Sequence, residues 1–560
     1  MSQPTSQSTS PHDTYTSPLA ARNASPEMCK IWSPRHKFTT WRKIWLAVAQ
    51  AQQACGLDIT DQQINEMKAA LDVTDEDMDN AAKYERELRH DVMAHVHAFA
   101  DRCPTAKGII HLGCTSQDVV CNADFLILRE SIDLIRAKST RAIVAISEFG
   151  DKYKSLPTLG FTHYQPAQPT TVGRRACQWA SEMAPDSALF RFANKHARGF
   201  RGATGTQASF LSLFDGDSQK VDRFEVLAFL HMLPNSGAEW YVKNYLDDDF
   251  IERERDEYRE HARKRLDYEG LTEEERVDAQ SNYDKLQAMS IEDYRASEFD
   301  RVRNSSIFDL SGQTYPRVVD TRILSSLASI ASVLHKIATD IRLLSNRKEI
   351  DEPFGKNQIG SSAMPYKRNP MKCERICGLT RFVMNLVGNA YDTAATQWLE
   401  RTLDDSSNRR LSLPESFLAL DGALDLMHTV ASGLVVNEAM VRKNLMLELP
   451  FMATENILME AVKAGGDRQD LHEKIRVHSQ AAGHRVKQEG LDNDLIDRLK
   501  NDPDFASIHH MLTEDQILNP MNFIGRSVEQ TERFLKEVVE PLKSRYKDEL
   551  DSLGSADRGV

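Results

Sequence analysis

A polar stretch near residue 360 carries the side chains best suited to chemistry. It reads Gly360-Ser361-Ser362-Ala363-Met364-Pro365-Tyr366-Lys367-Arg368-Asn369-Pro370. Gly360 frees the backbone for a hairpin-like or mobile loop, whereas Pro365 fixes φ and removes a backbone donor. Lys367 and Asn369 supply a point charge and an amide, and both types of side chain can hold a carboxylate. The stretch indicates a carboxylate-binding loop, with an ordinary surface loop as the alternative.

Six further polar blocks recur along the chain and complete the set of candidate functional residues. They are Leu88-Arg-His-Asp-Val-Met-Ala-His-Val-His97, His111-Leu-Gly-Cys-Thr-Ser116, Leu159-Gly-Phe-Thr-His-Tyr-Gln-Pro-Ala-Gln168, Gly312-Gln-Thr-Tyr315, Gln397-Trp-Leu-Glu-Arg-Thr-Leu-Asp-Asp-Ser-Ser-Asn-Arg-Arg410 and Leu449-Pro-Phe-Met-Ala-Thr-Glu-Asn456. Together with the loop, and in this order, they resemble the adenylosuccinate lyase family of the fumarase/aspartase superfamily. The resemblance runs from about Ser17 to Leu542 and is interrupted once.

The resemblance implies an enzyme that eliminates fumarate from two succinylated compounds of purine nucleotide biosynthesis. Adenylosuccinate would give AMP, and the carboxamide intermediate SAICAR would give AICAR. It further implies general acid/base catalysis, no organic cofactor, no metal, and a homotetramer whose sites are shared between subunits. Two alternatives stay open. Argininosuccinate lyase would need no phosphate contacts, and a non-catalytic scaffold would not need Ser361, His163 and Lys367.

The implied reaction explains the types of the catalytic residues. A proton leaves the carbon next to a carboxylate, and a nitrogen leaves the adjacent carbon more easily when it is protonated. By resemblance, Ser361 is the base and His163 the acid, while Glu374 pairs with His163 and holds its charge state. His90 is expected to touch phosphate and to assist the acid. A serine hydroxyl is a poor base, so Ser361 must be activated by loop closure and nearby donors or cations.

The resemblance also assigns residues to the two charged ends of the substrate. The succinyl carboxylates are expected to contact Lys367, Asn369, Thr115, Ser116, Gln313 and Arg375. The phosphate is expected to contact Arg22, Arg401, Ser406 and Arg410, since guanidinium binds phosphate through two parallel hydrogen bonds. Arg89, His90 and Asp91 form a further block on the nucleotide side. Asn23 stands where the family has a tyrosine, so one hydroxyl contact to the nucleotide is missing.

Without the resemblance, several of these residues have simpler interpretations. The macrodipole favours a carboxylate such as Glu374 at the start of a helix. Thr115 and Ser116 suit helix caps, and the cations suit a solvated surface. His163 alone would be a structural histidine.

No metal or disulfide chemistry is expected. His90 and His95 are five residues apart and fall on different helix faces, and neither belongs to a His-Glu-x-x-His motif with His97. The eight cysteines include no Cys-x-x-Cys pair. They are expected to be reduced and packed, Cys373 and Cys377 included, which suits a cytoplasmic protein.

The bulk composition sets the fold class and excludes some functions. A chain of 560 residues is too long for one core. Its net charge of −13 argues against a nucleic-acid partner, and no apolar run reaches membrane-spanning length. Helical periodicity dominates, and alternating strand patterns of any length are absent. We predict an all-α protein with three helical domains and a central bundle of long helices.

The predicted organisation has four parts. These are a disordered tail over 1–18, an N-terminal helical domain over 19–114, the long-helix domain over 115–436 and a C-terminal helical domain over 437–560. Long helices are expected over 122–156 and over 172–197, the second with a kink or break at Pro185. A last helix over 529–547 is expected to close the chain.

An acidic insert is predicted over 231–305, inside the long-helix domain. His231 to Asp300 hold 20 acidic and 10 basic residues, so this segment carries most of the net negative charge. Opposite charges at helical neighbour spacing favour a solvated helix. A disordered acidic segment is the alternative.

Overall fold

The computed structural model describes residues 14–184, 197–233, 248–268, 270–355, 358–359, 363–364, 366–554 and 556. Several predictions concern residues outside these ranges. Ser361, Pro185 and residues 1–13 of the predicted tail all lie outside the described residues, as do residues 234–247 of the predicted insert.

The described part of the chain is mainly helical, as predicted. The α-helices are Pro26–Ile31, Pro34–Ala54, Asp61–Ala69, Asp75–Leu88, Asp91–Arg102, Ser116–Lys152, Val172–Met183, Ala208–Leu213, Ser218–Met232, Asp248–Leu266, Glu273–Ala288, Ile291–Ser306, Val318–Asn346, Met371–Ala395, Asp404–Gly433, Glu438–Met452, Thr454–Lys463, Arg468–His484, Leu495–Asn501, Ser527–Phe534, Glu540–Arg545 and Lys547–Ser552. Short π-helical turns occupy Leu19–Asn23, Arg485–Glu489 and Leu535–Val539, and 3₁₀ turns occupy Pro503–Met511 and Pro520–Phe523. No helix among the described residues is long and apolar enough to cross a bilayer.

Four long helices form the central bundle, and the first of them overlaps the helix predicted over 122–156. Ser116–Lys152, Val318–Asn346, Met371–Ala395 and Asp404–Gly433 pack around one large apolar core, which also takes in the short Val172–Met183 helix. This helix covers the first part of the range predicted over 172–197 and ends at Met183, two residues before the expected kink or break at Pro185. Residues 185–196 lie outside the described residues, so the rest of that prediction stays a prediction. The predicted closing helix is also interrupted, because a π-helical turn separates Ser527–Phe534 from Glu540–Arg545.

Two small antiparallel sheets accompany the helices, and the sequence analysis predicted neither. Strands β1 (Pro157–Thr162) and β2 (Gln165–Thr171) form a hairpin with a register irregularity near Gly160. Strands β3 (Ile350–Asp351) and β4 (Val435–Val436) form a second, minimal pair. Prolines in both hairpin strands and the irregular register obscure the alternation that would have identified the hairpin.

Two smaller cores flank the bundle. One lies between the Pro34–Ala54, Asp91–Arg102 and Ser218–Met232 helices, so residues beyond 200 complete the packing of the N-terminal helices. The other lies among the C-terminal helices and the Pro503–Met511 turn. The domain boundaries at 114 and 436 stay a prediction.

The described part of the acidic insert is helical, which favours the solvated-helix alternative. Its helices Asp248–Leu266, Glu273–Ala288 and Ile291–Ser306 enclose a small core that includes Tyr294. Arg259 reinforces this unit by donating to three carbonyl oxygens at the end of the Glu273–Ala288 helix, those of Leu286, Gln287 and Met289.

The last insert helix is also built into the main body. Phe299 and Val302 pack against the N-terminal core, and Arg303 pairs with Asp222 at 2.7 Å. Fully buried Ile307 follows and forms a parallel bridge with Ala197. This bridge therefore joins the end of the insert to the segment that starts at Ala197.

A buried carboxylate fixes that segment to the start of a bundle helix. Asp118 Oδ2 accepts from the N–H of Thr115, the N-cap of the Ser116–Lys152 helix, at 2.8 Å. Asp118 Oδ1 accepts from the backbone N–H of Arg201 at 2.8 Å and of Gly202 at 3.1 Å. Fully buried Arg198 pairs with the same oxygen at 2.5 Å. One side chain thus joins two distant parts of the chain.

Arg198 extends this connection to a third part. Its Nη2 donates to the carbonyl oxygen of Gly312 at 2.9 Å. Gly205 lies so close to this turn that a Cβ atom there would sit 1.9 Å from the Ser311 carbonyl oxygen. Gly205 also has φ of +88°, a conformation that favours glycine. The bond from Arg198 and the close approach of Gly205 fix this turn, and with it the position of Gln313, the next residue.

Asp118→Asn is expected to lower the free energy of unfolding by about 3–5 kcal/mol, because it leaves buried Arg198 without a counter-charge. Urea unfolding followed by circular dichroism measures the change. The matched control is Glu473→Gln, which removes an exposed partner of Arg476. No measurable change is expected there. Equal effects of the two substitutions would contradict the assigned role of Asp118.

Replacing residues 248–290 with a Gly/Ser linker is expected to leave the thermal midpoint of the remaining chain close to that of the full-length protein. A longer deletion, 248–304, is expected to lower it clearly, because Phe299 and Val302 then no longer cover the N-terminal core. Burial of one such side chain stabilises by about 1.5–3 kcal/mol. Calorimetry compares the two variants, and identical midpoints would show that the last insert helix is not part of the body.

Candidate active site

A cavity of about 570 Å³ lies where the bundle meets the N-terminal helices. Eight of the predicted site residues line it, and they come from four separated parts of the sequence. These residues are His90, Asp91, Thr115, Ser116, Gln313, Arg401, Ser406 and Arg410. One concave surface therefore brings these eight side chains together.

His90 stands at the cavity as the N-cap of the Asp91–Arg102 helix. Its Nδ1 accepts from the N–H of Met93 at 3.3 Å. In the neutral ring the proton therefore sits on Nε2, which lies 3.4 Å from Ser116 Oγ. Arg89 precedes it in the left-handed conformation, with φ of +54°, so the chain turns sharply to aim the ring at the cavity.

Gln313 and Arg401 form the opposite wall. The backbone N–H of Gln313 donates to the carbonyl oxygen of Glu400 at 3.0 Å, and Arg401 Nη1 donates to Gln313 Oε1 at 3.0 Å. With its amide oxygen turned toward Arg401, Gln117 accepts a further bond at 2.9 Å. These contacts, with the more distant carboxylate of Asp405 at 3.8 Å, hold the guanidinium of Arg401 at the cavity wall.

Two further arginines are locked by buried carboxylates. Arg317 binds Asp405 at 2.6–2.7 Å, and Arg409 binds Asp320 at 2.6 Å. Burial lowers the pKa values of Arg317 and Arg409, but Tyr315 and the carboxylate of Asp320 outweigh it, so that both pKa values are raised. The two cations are fixed structural charges on the cavity floor.

The cavity carries an excess of positive charge among its described lining residues. The cations are Lys37, Arg317, Arg401, Arg409 and Arg410, and the carboxylates are Asp91, Asp124 and Asp405. Asp91 pairs with Arg410 at 3.0 Å. Burial raises the pKa of the Asp91 carboxyl and the pairing with Arg410 lowers it, and the net result is a lowered pKa. Such a surface suits an anionic ligand.

The three histidines considered for metal binding have three separate environments. His90 faces Ser116, His97 stacks near Tyr84 and His95 stacks on Phe38 at 3.6 Å. Burial lowers the pKa of His95 to about 4, so it is a neutral part of the wall behind Phe38. Within the described ranges, no group of three His, Cys, Asp or Glu side chains is arranged to hold a metal ion.

A second group of predicted residues lies around the start of the Met371–Ala395 helix, away from the cavity lining. Glu374 is exposed in the first turn of this helix, and Lys367 is exposed just before it, where its backbone N–H donates to Met364. Burial and the nearby charge of Arg22 lower the pKa of Arg375, so these two guanidiniums are neighbours. Asn369 lies in the same short segment, and Ser361 lies outside the described residues.

Asn23 has a local structural contact in place of a nucleotide contact. Its Nδ2 donates to the carbonyl oxygen of Pro18 at 2.9 Å. Its backbone oxygen faces Gly422, where a Cβ atom would approach to 2.5 Å. The π-helical turn that holds Arg22 and Asn23 is therefore packed tightly on the Asp404–Gly433 helix.

His163 forms a third position, at the tip of the β1–β2 hairpin. Thr162 pairs with Gln165, which leaves His163 and Tyr164 as a two-residue turn. Both have positive φ, +52° and +56°, as type I′ turns require, although neither is the glycine or asparagine such turns prefer. The tip is exposed. Among the described residues, no hydrogen bond or ion pair joins His163 to Glu374 within one chain.

The structure adds cavity residues that the sequence analysis did not single out. They are Lys37, Trp32, Phe38, Asp124, Arg317, Asp405 and Arg409. Arg409 and Asp405 lie inside the Gln397 to Arg410 block, so the sequence already marked their neighbourhood as functional. No sequence motif pointed to Lys37, because its neighbours have the pattern of an ordinary amphipathic helix.

Two family models match separate parts of the chain. A model described as Lyase matches residues 20–221 and 291–385, and one described as Adenylosuccinate lyase C-terminus matches residues 450–534. The gap over 222–290 covers most of the acidic insert.

Full-length relatives give the same family. Adenylosuccinate lyase of Schizosaccharomyces pombe is 44% identical over 96% of this chain and 98% of the relative, and that of Saccharomyces cerevisiae is 41% identical over the same shares. Among solved structures, a 3-carboxy-cis,cis-muconate lactonizing enzyme from Pseudomonas putida matches with a TM-score of 0.68 at 21% identity, covering 94% of this chain and 99% of that one. A fumarate lyase from Mesorhizobium matches with a TM-score of 0.65 at 19% identity over 92% and 98% of the two chains. The structural matches show the fold, and the sequence matches show that this chain belongs to the adenylosuccinate lyase family.

Proposed function

We propose that this protein cleaves adenylosuccinate to AMP and fumarate, and SAICAR to AICAR and fumarate. The observation that carries the proposal is the cation-rich cavity lined by eight residues of the predicted site. Both substrates carry a phosphate and two carboxylates, so they match its charge. Family membership supplies the reaction class.

The reaction needs one base and one acid. Ser361 takes the proton from the carbon next to a succinyl carboxylate, the bond from the adjacent carbon to nitrogen breaks, and His163 gives a proton to the leaving nitrogen. Lys367 and Asn369 hold the carboxylate on which negative charge builds. Glu374 supports the charge state of His163. The products are fumarate and the free amine of the nucleotide.

The phosphate of the substrate is assigned to Arg401, Ser406 and Arg410. Arg22, from the group around the start of the Met371–Ala395 helix, is a fourth contact. The support is that the first three line one cavity with His90 and Asp91. Asp91 orients Arg410 through their 3.0 Å ion pair. An argininosuccinate lyase has no use for these phosphate contacts, which favours the nucleotide substrate.

We further propose that the site is completed between subunits of a homotetramer. The support is the separation of the predicted residues within one chain into the cavity group, the Met371–Ala395 group and the hairpin tip. An exposed histidine on a conformationally costly turn makes sense if the turn reaches into another subunit. The exposed apolar side chains Trp398 and Leu399 next to Arg401 also suit a covered surface.

The remaining proposals concern organisation and compartment. We keep the boundaries at 114 and 436 for the three helical domains. A cytoplasmic location is supported by the cysteines, all eight of which are free thiols.

Purified protein is expected to convert adenylosuccinate, followed by the ultraviolet change as AMP forms, and to leave argininosuccinate intact. Arg410→Ala is expected to raise KM for adenylosuccinate far more than it lowers kcat, because the phosphate lies away from the reacting bond. The fold of the variant is checked by circular dichroism. Cleavage of argininosuccinate in place of adenylosuccinate would overturn the proposal.

Ser361→Ala and His163→Ala are each expected to lower kcat by at least about a hundredfold. Mixing the two inactive variants under conditions that let subunits exchange is expected to restore part of the activity, since some sites would then take each intact residue from a different chain. The control is each variant taken through the same treatment alone. Failure to recover activity, with mixed tetramers demonstrated by mass spectrometry, would place Ser361 and His163 of each site on one chain.

A further inference from the structure

The cavity contains one cation whose charge nothing in the described structure neutralises. Lys37 lines the cavity from the first turns of the Pro34–Ala54 helix. Within the described residues its Nζ has no hydrogen bond and no carboxylate within 4 Å, and its recorded contacts are with the rings of Phe38 at 5.1 Å and Trp41 at 4.9 Å. By contrast, the neighbouring cations Arg410, Arg409 and Arg317 all have carboxylate partners.

The surroundings of Lys37 disfavour a positive charge in the empty protein. Burial and the charge of Arg410 lower its pKa, and the more distant carboxylates of Asp124, Asp91 and Glu85 offset this only in part. The helix that carries it has no acidic residue in its first turn. A lysine near a helix N-terminus gains nothing from the macrodipole. The fold therefore holds an ammonium group at some cost in stability, beside the guanidinium assigned to phosphate.

We propose that Lys37 is a further phosphate-binding residue, which contacts the 5′-phosphate of the substrate together with Arg410. This inference rests on the proposed phosphate site and adds a residue to it. A dianionic phosphate can accept from both cations at once and removes their mutual repulsion. Nζ of Lys37 lies over the rings of Phe38 and Trp41, which stabilise the ammonium group at the cavity lining without neutralising its charge.

The role separates phosphate recognition from chemistry. Lys37→Met keeps the stem and removes the charge. It is expected to raise KM for adenylosuccinate roughly tenfold to a hundredfold, the range for loss of one charge-assisted hydrogen bond, with kcat changed little. The matching nucleoside, which lacks the 5′-phosphate, is expected to be cleaved with the same kcat/KM by both proteins. Inorganic phosphate is expected to inhibit the variant less than the wild type, whereas inhibition by fumarate stays unchanged.

Two further variants control the experiment. Lys43→Met removes an exposed lysine from the same helix, outside the cavity, and is expected to behave as wild type. Lys37→Arg keeps the charge and is expected to recover most of the affinity. Because the pKa of Lys37 is lowered, wild-type KM is expected to rise as alkaline pH removes its proton. This rise should be smaller in Lys37→Arg, whose guanidinium stays charged.

The outcomes separate this inference from the proposed function. If the wild type does not cleave adenylosuccinate, the proposed function fails. If it does, and Lys37→Met has normal KM and normal inhibition by phosphate, only the role of Lys37 is overturned. An equal loss for nucleotide and nucleoside, or a change confined to fumarate inhibition, would assign Lys37 to another part of the substrate and also overturn the proposal.

Discussion

The buried carboxylate of Asp118 is the contact on which the arrangement of the cavity depends. Its two oxygens accept from the N-cap of a bundle helix, from two backbone N–H groups near Arg201 and from the guanidinium of Arg198. Arg198 in turn holds the Gly312 turn. Three parts of the chain that are far apart in sequence meet at one carboxylate. A buried charge needs a full set of partners, so the native arrangement is favoured over any that leaves one of them out.

The same rule shapes the cavity floor. Buried carboxylates Asp320 and Asp405 fix Arg409 and Arg317 in direction as well as in charge. The floor can therefore attract an anion without rearranging when the anion binds, which is the electrostatic preorganisation that binding sites use. Arg401, Arg410 and Lys37 also line the cavity, and Arg410 is the more exposed partner of its ion pair with Asp91. The buried pairs supply rigidity, and the more exposed cations are the ones proposed to contact the ligand.

The acidic insert is a helical unit of its own that is also joined to the main body. Most of the insert lies outside the matched family regions and encloses its own small core. Its last helix joins the N-terminal core, and Ile307 continues into the bridge with Ala197. The anchoring residues Phe299, Val302 and Arg303 lie in the last helix of the insert, whereas the two preceding helices carry most of its exposed charges.

The sequence by itself determined the family, the helical character, the long central helices and the residue types of the site, because these depend on local periodicity and on motifs that each lie within a short stretch. It did not reveal the hairpin that presents His163, since prolines and an irregular register hide its alternation. It gave no sign of Lys37, because the lack of a close carboxylate among the described residues around its ammonium group is a property of the three-dimensional surroundings. Only the tertiary structure decided that the predicted residues fall into three groups within one chain. Their distances depend on how helices far apart in sequence pack, which is fixed by long-range contacts such as Arg198 with Asp118.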